Sequence, residues 1–222
     1  MNLLGRHSAR IESEYLERLH KVRFGMDHGW RPPGLLMKGG TVEQRCQALQ
    51  RLKLLAEQDR FFCSHVTLKP DLPLRDASRV CQAAIEAAGL AQHCNAAATP
   101  PDEVKRLAGS ARELGRNGWI VLIDNVNIFQ GSTRERAESY RELSRWMGRP
   151  PGDSCLGLFC VLAVTPEFER AVMQPDGDLA AIRNQLASTG SADDLRLLDD
   201  AEAGIAALEH EAMVYELLVL EW

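Results

Sequence analysis

The sequence predicts an α/β domain with a mainly parallel sheet. Apolar runs of strand length alternate along the 222 residues with longer stretches whose apolar residues recur at helical spacing. The clearest strand is the apolar run that begins at Trp119 and ends in the carboxylate of Asp124. An earlier apolar run ends at Gly39-Gly40, which turns the chain into a helical pattern.

Helix caps and chain breakers place the boundaries of the predicted elements. Thr41 and Asp76 are suitable N-caps, and the prolines that follow Arg31 end the first helix. The alanine-rich stretch from Gln92 to Pro101 is predicted to be a mobile loop. The predicted helices span residues 9–23, 42–58, 77–88, 102–114, 133–147, 178–188 and 199–211, and the predicted strands span 34–38, 61–68, 119–124, 156–164 and 213–220.

The composition excludes several classes of protein. With 45% hydrophobic and 26% charged residues, the chain can bury the core of one globular domain. No run approaches the roughly 18 to 20 apolar residues of a membrane helix, and the first 20 residues are charged and amphipathic, unlike an export signal. We therefore expect a cytoplasmic protein with no membrane partner. The six cysteines form no CxxC pair, which predicts reduced thiols and no zinc site.

The net charge of −5 is unevenly distributed along the chain. Residues 1–60 carry 11 basic and 7 acidic residues, whereas residues 174–222 carry 2 basic and 11 acidic ones. The acidic C-terminal segment would repel a polyanion, so binding to nucleic acid is not favoured, although a local basic patch in the first 60 residues stays open as an alternative. Ordinary solvated faces are the simpler interpretation.

The turn after the first strand is where an open α/β sheet can bind phosphate. It reads Gly39-Gly40-Thr-Val-Glu-Gln44-Arg45-Cys46. Compared with the P-loop pattern GxxxxGK[ST], Gly39 keeps the first glycine, but the last three residues replace the second glycine, the lysine and the hydroxyl residue. Arginine is planar and forked where lysine is compact, and a thiol is a poor ligand for Mg²⁺. The turn therefore predicts a vestigial nucleotide site.

Three polar residues near later strand ends would complete this vestigial site. Asp124 stands where a P-loop NTPase keeps the aspartate that orients Mg²⁺, although a helix cap or a solvated strand end is the alternative. Asn125 stands where many such enzymes carry a glutamate, and an amide cannot accept a proton from the attacking water. Thr165 follows the fourth strand at the position of a γ-phosphate sensor, but we favour a helix cap before Pro166.

The helix after Asp124 is rich in arginine. Arg134, Arg136, Arg141 and Arg145 could reach a neighbouring subunit as arginine fingers, but a solvated basic face is the simpler interpretation. The six histidines show no HxxxH or HExxH spacing, so no metal site is predicted. No catalytic residue and no cofactor are expected, and any binding of ATP with Mg²⁺ would be weak.

Several ordered motifs resemble one family. The run from Trp119 to Phe129, followed by Ser139-Tyr-Arg-Glu-Leu-Ser-Arg-Trp146, resembles the Walker B segment of BrxC/BrxD-type ATP-binding proteins, which are AAA+-like P-loop proteins of bacterial bacteriophage-exclusion (BREX) systems. Other landmarks of the family are matched in order by the segments Leu68–Leu74, Ala163–Phe168 and Ala201–Ile205. The resemblance extends from about Pro33 to Trp222.

The resemblance implies a three-layer P-loop NTPase (AAA+-like) core with a five-stranded sheet in the order 5-1-4-3-2. It divides the chain into an N-terminal helical extension at residues 1–33 and a degenerate AAA+-like domain at residues 34–222. Family members have an intact GxGKS-like loop and an Asp-Glu pair, which this chain lacks, and a helical lid, for which we expect no room. These losses imply a pseudo-ATPase with a protein partner, either an authentic ATPase of the same system or a second copy of itself.

Three functions remain as hypotheses. The first is a non-catalytic interaction or regulatory component of a BREX-like anti-phage defence system. The second is an ATP-binding protein or slow ATPase that uses Arg45 and Asp124. The third is a DNA-binding accessory factor that uses the basic first 60 residues, and its binding would weaken steeply with salt.

Overall fold

The fold is a parallel sheet with helices packed around it. The computed structural model describes residues 3–127, 131–147, 155–168, 175–215 and 219–220. The helices are α1 (Leu3–His28), α2 (Val42–Gln58), α3 (Ala77–Ala87), α4 (Pro100–Gly109), α5 (Thr133–Met147), α6 (Pro175–Thr189) and α7 (Ala192–Tyr215). The strands are β1 (Leu35–Gly39), β2 (Phe62–Thr67), β3 (Trp119–Val126), β4 (Leu158–Val164) and β5 (Val219–Leu220).

Four strands make up nearly all of the sheet. They lie in the order β2-β3-β4-β1, and every pairing among them is parallel. The central strands β3 and β4 are buried along their length except at Asn125, as expected for apolar runs covered on both faces. The two residues of β5 pair with Lys38 and Gly39 at the end of β1. The predicted α/β fold with a parallel sheet is confirmed.

Helices cover both faces of this sheet. Because side chains alternate along a strand, Trp119 and Asp124 of β3 point to opposite faces. The indole Nε1 of Trp119 donates to Ser64 Oγ (2.8 Å), which in turn donates to the carbonyl of Ala84 in α3 (2.6 Å). Asp124 instead meets Arg45 of α2. Therefore α2 packs on one face and α3 on the other, and α1 lies beside α2.

The first helix is longer than predicted at both ends. It continues from Arg23 to His28, where Gly29 takes a positive φ of 73° and the amide of Trp30 donates to the carbonyl of Gly25 (3.0 Å). This bond across a left-handed glycine is the usual way to end a helix, so the glycine ends α1 before the prolines are reached. Within the described residues, no helix is both long enough and apolar enough to cross a membrane.

The bounds predicted for the loop at residues 92–101 and for the helix after it are also corrected. The stretch at residues 92–101 includes most of a 3₁₀ turn, Ala91–His93, and α4 already begins at Pro100. Thr99 is the N-cap, because its side chain accepts from the amide of Asp102 and the two prolines take the first helical positions. The helix then ends at Gly109, five residues before the predicted end.

The C-terminal part differs most from its prediction. The last strand was expected at residues 213–220, but residues 213–215 belong to α7, and β5 comprises Val219 and Leu220 among the described residues. α7 also begins at Ala192 instead of 199. Its buried Leu197 and Ala201 keep helical spacing, and packing against α5 favours one continuous helix. The predicted break at Pro150-Pro151 lies outside the described residues.

Candidate functional site

The connection from β1 to α2 is too short to form a phosphate-binding loop. Gly39 ends β1 and α2 begins at Val42, so only Gly40 and Thr41 lie between them. Both glycines have positive φ, 82° and 68°, which glycine adopts without strain. A P-loop wraps several loop amides around the phosphates, and two residues do not supply that cradle. Gln44, Arg45 and Cys46, which replace the last residues of the P-loop pattern, lie in the first turns of α2, as the predicted helix bounds imply.

The first amides of α2 are partly occupied by the chain itself. Thr41 Oγ1 accepts from the amide of Gln44 (3.2 Å), and Gln44 Oε1 accepts from the amide of Thr41 (2.7 Å). This reciprocal pair is a capping box, and it confirms Thr41 as the predicted N-cap. Helix N-termini bind anions through such amides. Here the Thr41 hydroxyl and the Gln44 side-chain oxygen accept from two of the amides at this end of the helix.

The guanidinium of Arg45 points inward to the end of the sheet. Arg45 is 3% exposed, and its Nη1 donates to the carbonyl of Gly40 (2.8 Å). Its Nε lies 3.9 Å from Oδ1 of Asp124, and this buried Nε has no hydrogen-bond partner. The contact is therefore an ion pair without a direct hydrogen bond. It brings together the two charged residues predicted for the vestigial site.

Asp124 was predicted to end its strand, and this prediction is wrong. β3 continues to Val126 through an irregularity in its pairing with β4. At this point Asn125 has a φ of 60°, a left-handed conformation that asparagine tolerates better than most residues. Asp124 Oδ1 accepts from the amide of Asn125 (2.7 Å), and Asn125 Nδ2 donates to the carbonyl of Leu68 (2.9 Å). The Asn125 side chain therefore ties the end of β3 to Leu68, the residue that follows β2.

Thr165 caps the turn that follows β4. Its amide donates to the carbonyl of Val126 (3.1 Å), and its Oγ1 accepts from the amide of Phe168 (3.3 Å), where a helical turn begins at residues 166–168. The threonine is 6% exposed. Its hydroxyl therefore has the geometry of an N-cap.

Two polar residues near this site were missed by sequence reasoning. His65 of β2 lies close enough to Asp124 for the carboxylate to act on its pKa, and Lys38 is buried near the end of β1. Burial lowers the pKa of His65, and the Asp124 carboxylate partly opposes that effect. Either residue could have been noticed as a polar position inside an otherwise apolar strand.

The candidate inter-subunit arginines form contacts within their own chain. Arg134 pairs with Asp194 of α7 and with Glu138, which ties α5 to α7. Arg136 Nη2 donates to Thr133 Oγ1 (3.3 Å). The other two arginines of the helix, Arg141 and Arg145, both donate to Oε1 of the buried Glu142.

Comparison with known proteins assigns no function to this site. The chain matches no protein-family model and no curated protein sequence. Within the part of the chain that the structure describes, no group of three His, Cys, Asp or Glu residues is arranged to hold a metal ion. The function has to be inferred from the geometry of the site.

Proposed function

We propose that this protein is a non-catalytic, pseudo-ATPase interaction component built on an AAA+-like P-loop core, with five strands in the order 5-1-4-3-2. The observation that supports this best is the occupied N-terminus of α2. A P-loop ATPase needs the helix amides for phosphate and the strand-end aspartate for Mg²⁺. In this chain the amides of Thr41 and Gln44 are occupied by each other's side chains, and the Arg45 guanidinium lies beside Asp124.

The resemblance suggests the cellular setting. We place the protein in the cytoplasm, as a component of a BREX-like anti-phage defence system, with an authentic ATPase of that system or a second copy as its partner. Three large apolar side chains at the surface support a protein partner. Leu16 and Phe24 lie about two turns apart on α1, Leu54 lies on α2, and all three are about half exposed.

The main alternative is weak ATP binding or slow hydrolysis. Arg45 and Asp124 are a cation and an anion at the positions that bind phosphate and Mg²⁺ in working enzymes, which favours this alternative. It requires Arg45 to leave Asp124 and Gln44 to release the amide of Thr41. Separating a buried charge from its partner costs about 3 to 5 kcal/mol, which bound nucleotide would have to supply.

The DNA-binding alternative gains little support from the arrangement of the basic residues. Several cations in the first 60 residues have carboxylate partners, so they form no uniformly positive surface. The ion pairs are Lys21–Glu17, Arg23–Asp59, Arg51–Glu12 and Lys53–Glu57. Arg45 is buried.

Calorimetric titration with Mg-ATP tests the lost nucleotide function. We expect no heat of binding, no thermal shift, and phosphate release equal to that of Asp124→Ala. Arg45→Ala serves as a second comparison, because an ATP-binding protein would lose affinity with this change. Binding by the wild type that disappears in Arg45→Ala would establish the ATP-binding alternative instead.

The interaction role is tested by sedimentation of the purified protein, alone and with an authentic ATPase of the proposed defence system. We expect a complex whose formation is weakened by Leu16→Glu and Phe24→Glu. Leu195→Glu is the matched control, because Leu195 is similarly exposed but lies on α7. A wild-type protein that stays monomeric and binds no such ATPase would contradict the interaction role.

A further inference from the structure

A cavity lies at the edge of the sheet opposite Arg45 and Asp124. It has a volume of about 290 Å³ and opens among α3, α4, α5 and the start of β4. Leu158, the first residue of β4, lines it, whereas Asp124 and Thr165 lie near the carboxyl ends of their strands. In a parallel sheet these are opposite edges. The cavity is therefore separate from the proposed pseudo-ATPase site.

The inner wall of the cavity is apolar. Buried side chains of Cys81, Val104, Trp146, Cys155 and Leu158 line it. Burial raises the pKa of the Cys81 thiol to about 12, so this thiol is neutral and behaves as a small hydrophobic group. A concave, mostly apolar wall with an indole ring is typical of sites for small organic molecules.

The charged groups lie mainly at the mouth. Lys105 and Arg145 are exposed there, together with Asp102, whose Oδ2 accepts from Thr99 Oγ1 (2.6 Å). Glu142 lies deeper and is 2% exposed, and its Oε1 accepts from both Arg141 (3.0 Å) and Arg145 (2.8 Å).

Arg31 also lines the cavity, but its Nε and Nη2 donate to the carbonyls of Leu158 (3.0 Å) and Trp146 (2.7 Å). The lining thus carries three cations and two carboxylates, and the buried carboxylate is already compensated by two arginines. At the mouth the two cations Lys105 and Arg145 exceed the one carboxylate of Asp102, although Arg145 is also paired with Glu142.

We propose that this cavity binds a small molecule with an apolar body and a single anionic group. The body lies against Trp146, Cys81 and Val104, and the anionic group lies between Lys105 and Arg145. A guanidinium and an ammonium suit a carboxylate, a sulfonate or a phosphate monoester. This inference is independent of the proposed function, because it uses neither α2 nor Asp124.

Two fluorescent dyes that differ in one group test the proposal. 1-Anilinonaphthalene-8-sulfonate carries the anionic group, and N-phenyl-1-naphthylamine has the same ring system without it. We expect one sulfonated dye per protein, with a Kd at least tenfold lower than that of the uncharged dye. The double variant Lys105→Gln/Arg145→Gln should remove most of this difference, and added salt should reduce it.

Two further variants show whether the dyes occupy this cavity. Ala77→Trp places an indole at the partly exposed rim, and Val104→Phe fills the interior, so either should abolish binding of both dyes. Ala87→Trp is the control, because Ala87 is exposed on the same helix and does not line the cavity. A cooperative thermal transition shows that each variant is folded. If Val104→Phe does not fold, Ala77→Trp still tests the cavity, because it does not change a core residue.

Three results would overturn the proposal. Binding that survives Ala77→Trp places the dye elsewhere on the protein. Equal Kd values for the two dyes exclude recognition of the anionic group. A Kd above about 1 mM means weak, non-specific association, worth no more than about 4 kcal/mol.

Discussion

Arg45 illustrates what one side chain changes at the end of a parallel sheet. A lysine at the start of a helix can reach outward to phosphate on a flexible stem, whereas the planar guanidinium of Arg45 is held by the Gly40 carbonyl and lies near Asp124. The identity of this residue could be read from the sequence. Its inward direction could not, because it depends on a contact with Asp124, which lies far from Arg45 in the chain.

The Arg45–Asp124 pair predicts a coupled effect on stability. Arg45→Met leaves a largely buried carboxylate without its cation, and we expect a loss of about 3 kcal/mol in the free energy of unfolding. Asp124→Asn should also destabilise, because it leaves the guanidinium unpaired. The double variant should lose clearly less than the two single losses added together, as measured by urea denaturation.

Arg51→Met is the comparison for this cycle. Arg51 also pairs with a carboxylate, that of Glu12, but half of its side chain is exposed. An exposed pair contributes at most about 1 kcal/mol, so this variant should lose far less than Arg45→Met. If the losses at positions 45 and 124 simply add, the ion pair at 3.9 Å does not contribute to stability.

At the scale of elements, local sequence predicted best where caps and breakers agree with packing. The observed bounds of α2 and α5 are the predicted ones, and Thr41 and Asp76 cap their helices as expected. α7 was misjudged because the apolar residues near its end suit a strand as well as a buried helix. Packing against α5 and the Arg134–Asp194 pair supply information that the local pattern lacks.

The hydroxyl of Ser64 connects three elements, and its removal should be costly. Ser64→Ala leaves the buried indole N–H of Trp119 without its acceptor, while the carbonyl of Ala84 still accepts from the amide of Ala88 (3.1 Å). An unsatisfied buried donor costs about 1 to 3 kcal/mol. We expect a loss in that range, measured by chemical denaturation.

Ser78→Ala provides the matched change, because Ser78 is exposed on α3, and it should alter stability by less than about 0.5 kcal/mol. Trp119→Phe combined with Ser64→Ala removes both partners of this hydrogen bond. The double variant should therefore lose less stability than the two single variants added together. Equal stability of Ser64→Ala and the wild type would mean that the indole finds another acceptor.

At the scale of the whole molecule, the buried polar groups make stability depend on pH. His65 is the clearest case: burial is the main cause of its lowered pKa, Asp124 on β3 opposes the shift, and Lys53 on α2 adds to it. The unfolded chain then binds a proton more readily than the folded one. The contribution of His65 to stability is fully present above its unfolded pKa of 6.5, and it is lost as the pH falls from that value through the lower folded pKa.

We therefore expect the urea midpoint to decrease between pH 8 and pH 5, and the decrease to be smaller in His65→Gln. His20→Gln is the control, because His20 is exposed on α1 and away from Asp124 in β3. Parallel profiles for the wild type and His65→Gln would show that His65 does not titrate differently in the folded and unfolded chains.

The sequence by itself determined the α/β class, the parallel sheet and the identities of the altered residues at Gln44, Arg45, Cys46 and Asn125. These depend on residue type and on short-range periodicity, which are local properties. Only the tertiary structure decided that Arg45 turns toward Asp124, that Asn125 holds the end of β2, and that a cavity with a cationic mouth forms at the opposite edge. Each of these joins residues far apart in the chain, and local periodicity carries no information about which distant side chains will meet.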